Sequence, residues 1–196
     1  MSAEWWRSLE RPGDCITVFT PRLATSTRSG LLVRWRFFAV GDFDPDLIDV
    51  LGGPEIEQAF LDATEVVRDA LGTAPGGIRM FDEDRTRLRR ERVRLDGGSL
   101  GLAFMLGALG REQGAMWPAN SLAWGSLAPL RDGTFGVLPV DALADKVVAA
   151  QTAGAALVLH PAEQAPEGWH GRALGVPRAA ADSLAVLKHI FSGGGS

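Results

Sequence analysis

From Leu100 to Leu109 the chain runs ten residues without one polar side chain, with glycines at 101 and 107 inside the run and a third at 110. A segment with no polar face cannot lie on a surface, and so many glycines make it a poor helix on its own. It forms a helix only if other elements enclose it closely on every side. It should therefore be buried and closely packed by the rest of the chain. A length of 196 residues with 46% hydrophobic content is enough for one such domain.

The flanking segments supply elements to pack against it. Cys15 to Phe19 is a short β-rich run. In Leu31 to Val40, Val33, Trp35 and Phe37 alternate with Arg34 and Arg36, the pattern of a strand with one apolar and one charged face. After Gly52-Gly53-Pro54, the residues Ile56, Ala59, Phe60, Ala63, Val67 and Ala70 form a helical stripe that Gly72 closes. Ile78 to Phe81 is a short strand. Arg85 to Arg94 holds six arginines, and the alternation of Val93 and Leu95 with Arg92 and Arg94 predicts a strand with a solvated face. Ser121 to Leu130 and Phe135 to Val140 read as strands around the turn at Arg131-Asp-Gly-Thr134. A helix around Lys146 stops at Gly154, a strand follows from Ala155 to Leu159, Gln164 to Arg178 is loop-rich, and Ala179 to Phe191 reads as a closing helix. The order indicates a single α/β (α+β) domain. Residues 1–30 are expected as an N-terminal arm or extra strand, 31–191 as the domain, and 192–196 as a flexible tail or linker.

Net charge is −4 and the pI about 5.4, which opposes general nucleic-acid binding. One cysteine, Cys15, excludes an internal disulfide framework. With His160, His170 and His189 scattered, no zinc-site spacing is present. Met1 to Glu10 has neither the basic start nor the apolar run of a secretory signal, and no stretch is apolar enough to span a bilayer. A soluble cytoplasmic chain is the expectation.

Of the 20 basic residues only Lys146 and Lys188 are lysines. Lys146 has Ala142, Leu143, Ala149 and Ala150 at helical spacing. An ammonium facing an apolar surface loses hydration and its pKa falls, and arginine cannot make this change. Lys146 is therefore a candidate general base, against the ordinary reading of a lysine that snorkels to water. Ser99 follows Gly97-Gly98 and opens the apolar helix. Its hydroxyl is a candidate nucleophile beside unpaired helix-start N–H groups, a candidate N-cap, or part of an anion cradle.

Asp96-Gly-Gly-Ser-Leu-Gly-Leu-Ala103 resembles the nucleophile motif of the Lon-type serine proteases, Asp-Gly-Pro-Ser-Ala-Gly. Leu138-Pro-Val-Asp-Ala-Leu-Ala-Asp-Lys-Val-Val-Ala-Ala150 resembles that family's lysine motif, Leu-Pro-Ile-Gly-Gly-Leu-x-x-Lys-x-x-Ala-Ala. Ala153 to Pro161 is similar to its following strand, Glu55 to Leu71 to its first long helix, and the 47-residue gap from Ser99 to Lys146 is close to the family's. The resemblance spans roughly Leu31 to Phe191. It implies a Lon-protease-like domain of the ribosomal protein S5 domain 2-like fold, and a Ser99–Lys146 dyad that hydrolyses peptide bonds. It further implies an oxyanion site at the turn through Gly97 and Gly98, and Asp96 beside the dyad. It implies no metal and no cofactor in this chain, with ATP acting only through a separate or missing AAA+ ATPase module, or cleavage of flexible segments without any motor. Protein or peptide substrates and a homo-oligomeric ring, hexameric in many relatives, also follow from it.

Five positions depart from the family. Gly98 replaces the proline before the serine. Leu100 replaces the alanine after it. Asp141 and Ala142 replace the glycine pair before the lysine helix. Trp124 stands where the family carries a threonine that orients the lysine, with Ser121 or Ser126 as substitutes for that hydroxyl. Leu100 and Trp124 predict a dyad that is misaligned or covered in the isolated domain, hence weak or gated. A non-catalytic assembly or regulatory module of the same fold, and a small-molecule kinase of the same broad fold, are the competing readings.

Overall fold

The computed structural model describes residues 9–19, 30–51, 53–73, 75–93, 98–179 and 182. Six strands form one mixed sheet: β1 (Asp14–Phe19), β2 (Leu31–Phe38), β3 (Gly77–Met80), β4 (Ser121–Ala123), β7 (Leu157–Pro161) and β8 (Arg172–Val176). Their spatial order is β3-β2-β1-β4-β7-β8. The β1–β2 and β2–β3 pairs are antiparallel, and β1–β4, β4–β7 and β7–β8 are parallel. A separate hairpin joins β5 (Ser126–Pro129) to β6 (Phe135–Leu138). The helices are α1 (Asp46–Leu51), α2 (Glu55–Leu71), α3 (Asp82–Glu91), α4 (Gly101–Gln113) and α5 (Leu143–Thr152). The mixed α/β architecture agrees with the sequence expectation.

Strand alternation divides the core between the two faces of the sheet. Cys15, Val33, Trp35, Phe37, Ala123 and Leu159 join α2 and α4 in the larger cluster. Ile16, Val18, Leu32, Leu122, Trp124 and Val158 join Val147, Ala149 and Ala150 of α5 in the smaller one. Every residue of α4 from Gly101 to Gly110 is buried, as its composition requires. Phe104 is fully enclosed and meets Trp35 and Phe37 edge-to-face, with centroids 4.9 and 5.9 Å apart. Phe60, Ala63 and Val67 of α2 belong to the same cluster, all buried as the helical stripe predicts. Gly72 closes α2 in the left-handed conformation at φ 74°.

Four expectations need correction. The Arg85–Arg94 segment is not a strand: α3 occupies Asp82–Glu91. Asp82, Glu83 and Asp84 complement the dipole at its start, and Arg89 and Arg90 lie in its last turn. Asp84 is buried and accepts from Arg34 Nε at 2.8 Å, anchoring the helix to β2. The stretch from Ser121 to Leu130 is two strands, because the chain leaves the main sheet at Trp124-Gly125 and begins the hairpin. The loop-rich region after Gln164 contains an edge strand, β8, in parallel register with β7. The N-terminal extra strand is not peripheral: β1 lies inside the sheet between β2 and β4. Helix α1 was not signalled by the turn-rich sequence around it. The expected closing helix from Ala179 to Phe191 lies outside the described residues except for Ala179 and Asp182, as do residues 192–196.

Candidate active site

Three elements converge at one point. Ser99 precedes α4, Lys146 lies in the first turns of α5, and Val18 is near the end of β1. Lys146 is 2% exposed and Ser99 8% exposed. Lys146 Nζ donates to Ser99 Oγ at 3.1 Å and to the carbonyl of Val18 at 3.1 Å. Ser99 Oγ in turn donates to the same carbonyl at 3.4 Å. Lys146 does not snorkel. Burial strips its amine of the water that would favour the charged form.

The N-cap reading of Ser99 fails on this geometry. Helix α4 begins at Gly101, its N-cap is Leu100, and no side chain caps it. The Ser99 hydroxyl is directed to Lys146 and Val18 instead. Its turn is held by main-chain bonds to the end of β4: Gly125 N–H donates to Ser99 O at 3.2 Å, and Leu102 N–H to Gly125 O at 2.9 Å. This clamp needs both glycines. A Cβ on Gly101 would lie 2.5 Å from Leu127 N, and one on Gly125 would lie 2.9 Å from Leu102 Cβ. Among the described residues, no main-chain carbonyl accepts from the N–H groups of Gly98, Ser99, Leu100 or Gly101. Those donors stand at the start of a helix, where a developing negative charge is stabilised. Gly98 is exposed, whereas Asp96 and Gly97 lie outside the described residues.

The two bulky departures occupy the core rather than the space between the dyad atoms. Leu100 is fully buried in the larger cluster. Trp124 is fully buried in the smaller cluster, packed with residues of α5, and its indole N–H has no hydrogen-bond partner among the described residues. Neither separates Ser99 from Lys146, so the expected misalignment is absent. The expected covering is present, given the low exposure of both side chains. Ser121 does not direct its hydroxyl to Lys146, because its Oγ donates to Pro118 O.

Helix α5 is set by its entry. Ala142 is its N-cap in the left-handed conformation, φ 53°. The preceding Val140 is gripped by Gln164, whose Oε1 accepts from Val140 N at 2.9 Å and whose Nε2 donates to Val140 O at 2.6 Å. The chain thus enters α5 from a fixed point, and Lys146 N–H closes the first turn onto Ala142 O at 3.2 Å.

Ser99 and Lys146 were legible as candidates because their residue types carry the chemistry. Val18 was missed, since a main-chain carbonyl is present at every residue and leaves no compositional trace. Among the described residues no group of His, Cys, Asp and Glu side chains is arranged to hold a metal ion, and no helix is long and apolar enough to cross a membrane. The chain matches no protein-family model and no curated protein.

Proposed function

We propose that the chain is a serine peptidase of the Lon type with a Ser99–Lys146 dyad. The observation that carries this reading is the 3.1 Å contact between Ser99 Oγ and the buried Lys146 Nζ. Serine is a weak nucleophile until a base takes its proton. A desolvated amine 47 residues away in sequence, brought to hydrogen-bond distance, supplies such a base. Ser99 Oγ attacks the peptide carbonyl, its proton passes to neutral Lys146 Nζ, and the carbonyl π electrons move to oxygen. The N–H groups at Gly98 and Ser99 receive that oxyanion. Collapse breaks the C–N bond, and the Lys146 ammonium returns the proton to the leaving amine. Water then hydrolyses the acyl ester, with Lys146 again accepting the proton.

The low exposure of Ser99 supports slow turnover until a substrate or partner opens the approach. Ring assembly with a separate ATPase motor belongs to the same proposal and rests on the motif resemblance. The test is labelling of Ser99 by a fluorophosphonate, with peptide hydrolysis measured in parallel. Labelling at Ser99 that disappears in Lys146→Arg supports the dyad. Absence of labelling and hydrolysis under all assembly conditions favours the non-catalytic module.

A further inference from the structure

The family threonine that would orient the lysine is Trp124 here, a side chain with no acceptor. Yet Lys146 is held. We propose that the main-chain carbonyl of Val18 takes the threonine's place and is the positioning group of the dyad. This inference rests on the peptidase reading and deepens it.

A carbonyl oxygen has two lone pairs and only accepts. Val18 O receives Lys146 Nζ at 3.1 Å and Ser99 Oγ at 3.4 Å, so the three atoms form a triangle closed by the 3.1 Å Lys146–Ser99 contact. An ammonium donates one N–H to Val18 O and another to Ser99 Oγ, and the serine proton then points to Val18 O. A neutral amine keeps one N–H on Val18 O, which turns its lone pair toward Ser99. The serine hydroxyl then swings from Val18 O to Nζ, the direction needed for proton transfer. Val18 O thus holds the amine in both states and lets the hydroxyl choose between them.

The carbonyl itself is rigidly placed. Val18 pairs with Leu32 across the β1–β2 ladder, and Thr17 pairs with Ala123 of β4. Thr17 is fully buried. Its Oγ1 donates to Val33 O at 3.3 Å and accepts from Trp35 Nε1 at 2.8 Å. These bonds lock the register of β1 against β2, and a shift of one residue would withdraw Val18 O from the site.

The test uses the full chain labelled with ¹³C at valine carbonyls, and the Val18 resonance is assigned. Lys146→Met removes the donor while keeping an apolar stem of similar length, and the Val18 carbonyl resonance is expected to move upfield. Ser99→Ala, which leaves the Lys146 bond in place, should move it less. In Thr17→Val the fluorophosphonate labelling rate of Ser99 should fall about tenfold, with Thr17→Ser close to the unsubstituted chain. A Val18 resonance unmoved by Lys146→Met overturns the proposal, as does a Thr17→Val chain that labels at the full rate. If Ser99 takes no label in the unsubstituted chain, the peptidase reading fails, and the carbonyl resonance alone decides whether Val18 holds Lys146.

Discussion

Lys146 Nζ and Ser99 Oγ meet at 3.1 Å inside the protein, both side chains shielded from solvent, from elements on opposite sides of the hairpin β5–β6 in sequence. A buried amine beside a hydroxyl is costly to maintain unless each group has a partner. Here each has the other, and both have Val18 O.

Lys146→Arg is therefore expected to abolish peptide hydrolysis as completely as Lys146→Ala. Arginine stays protonated and cannot take the serine proton. Labelling and hydrolysis assays on both variants check this, and appreciable activity in the arginine variant would remove Lys146 as the base. Lys188→Arg should leave activity unchanged.

The apolar helix gives a stability prediction. Phe104 is fully buried between Trp35 and Phe37. Phe104→Ala should cost about 3–5 kcal/mol in urea denaturation. A loss under ~1 kcal/mol would mean that the site collapses around the deletion, which the rings on either side oppose.

Ala142 makes a prediction of the opposite sign. It enters α5 at φ 53°, a conformation that suits glycine better than alanine. Ala142→Gly should stabilise the chain by roughly 0.5–1 kcal/mol, the relief of strain exceeding the added freedom of the unfolded chain. Thermal and urea unfolding should agree in sign, and a destabilised variant would show that the left-handed entry is not populated.

Cys15 should be unreactive in the folded chain. Burial first, and the Asp14 carboxylate second, raise its thiol pKa well above the ordinary value. The folded state therefore keeps its proton while an unfolded thiol loses it near ~8.5. The resulting contribution is intact below that pH and is lost as pH rises from there toward the folded pKa. Iodoacetamide should modify Cys15 only after unfolding. Modification at the same rate in native and denatured protein would contradict its burial.

What the sequence disclosed, and what it hid, follows from where the information sits. The stripe of α2 and the composition of α4 are side-chain periodicities, and both helices formed where expected. Helix α3 was misread because alternating arginines imitate a strand, whereas its stability comes from Asp84 reaching Arg34 some fifty residues earlier. Strand β8 has largely exposed side chains and joins the sheet through its backbone pairing with β7, which composition does not record. Ser99 and Lys146 could be found by residue type, but the Val18 carbonyl could not.

Trp124 is buried beside the helix that carries Lys146. Its position suggested either a lysine lacking an orienting hydroxyl, which threonine would restore, or a tryptophan that only packs the core. The structure supports the second: Trp124 fills the smaller core cluster beside α5, and Lys146 already has a main-chain acceptor. Trp124→Thr should then give no gain in turnover. It should instead lose about 3–5 kcal/mol of stability, because a large buried side chain is deleted from the packing behind Lys146. Trp124→Phe is the informative control. The indole N–H has no partner among the described residues, so its removal abolishes no hydrogen bond and relieves a buried unsatisfied donor. That relief, about 1–3 kcal/mol, opposes the loss of ring area. Trp124→Phe should therefore unfold within about 1.5 kcal/mol of the parent and label at Ser99 at the same rate. Urea denaturation and fluorophosphonate kinetics on the two variants decide the matter. Faster labelling in Trp124→Thr would restore the idea of a lysine in need of a hydroxyl. Equal labelling in Trp124→Phe with a collapse in Trp124→Thr would show that this position acts on the site only by packing.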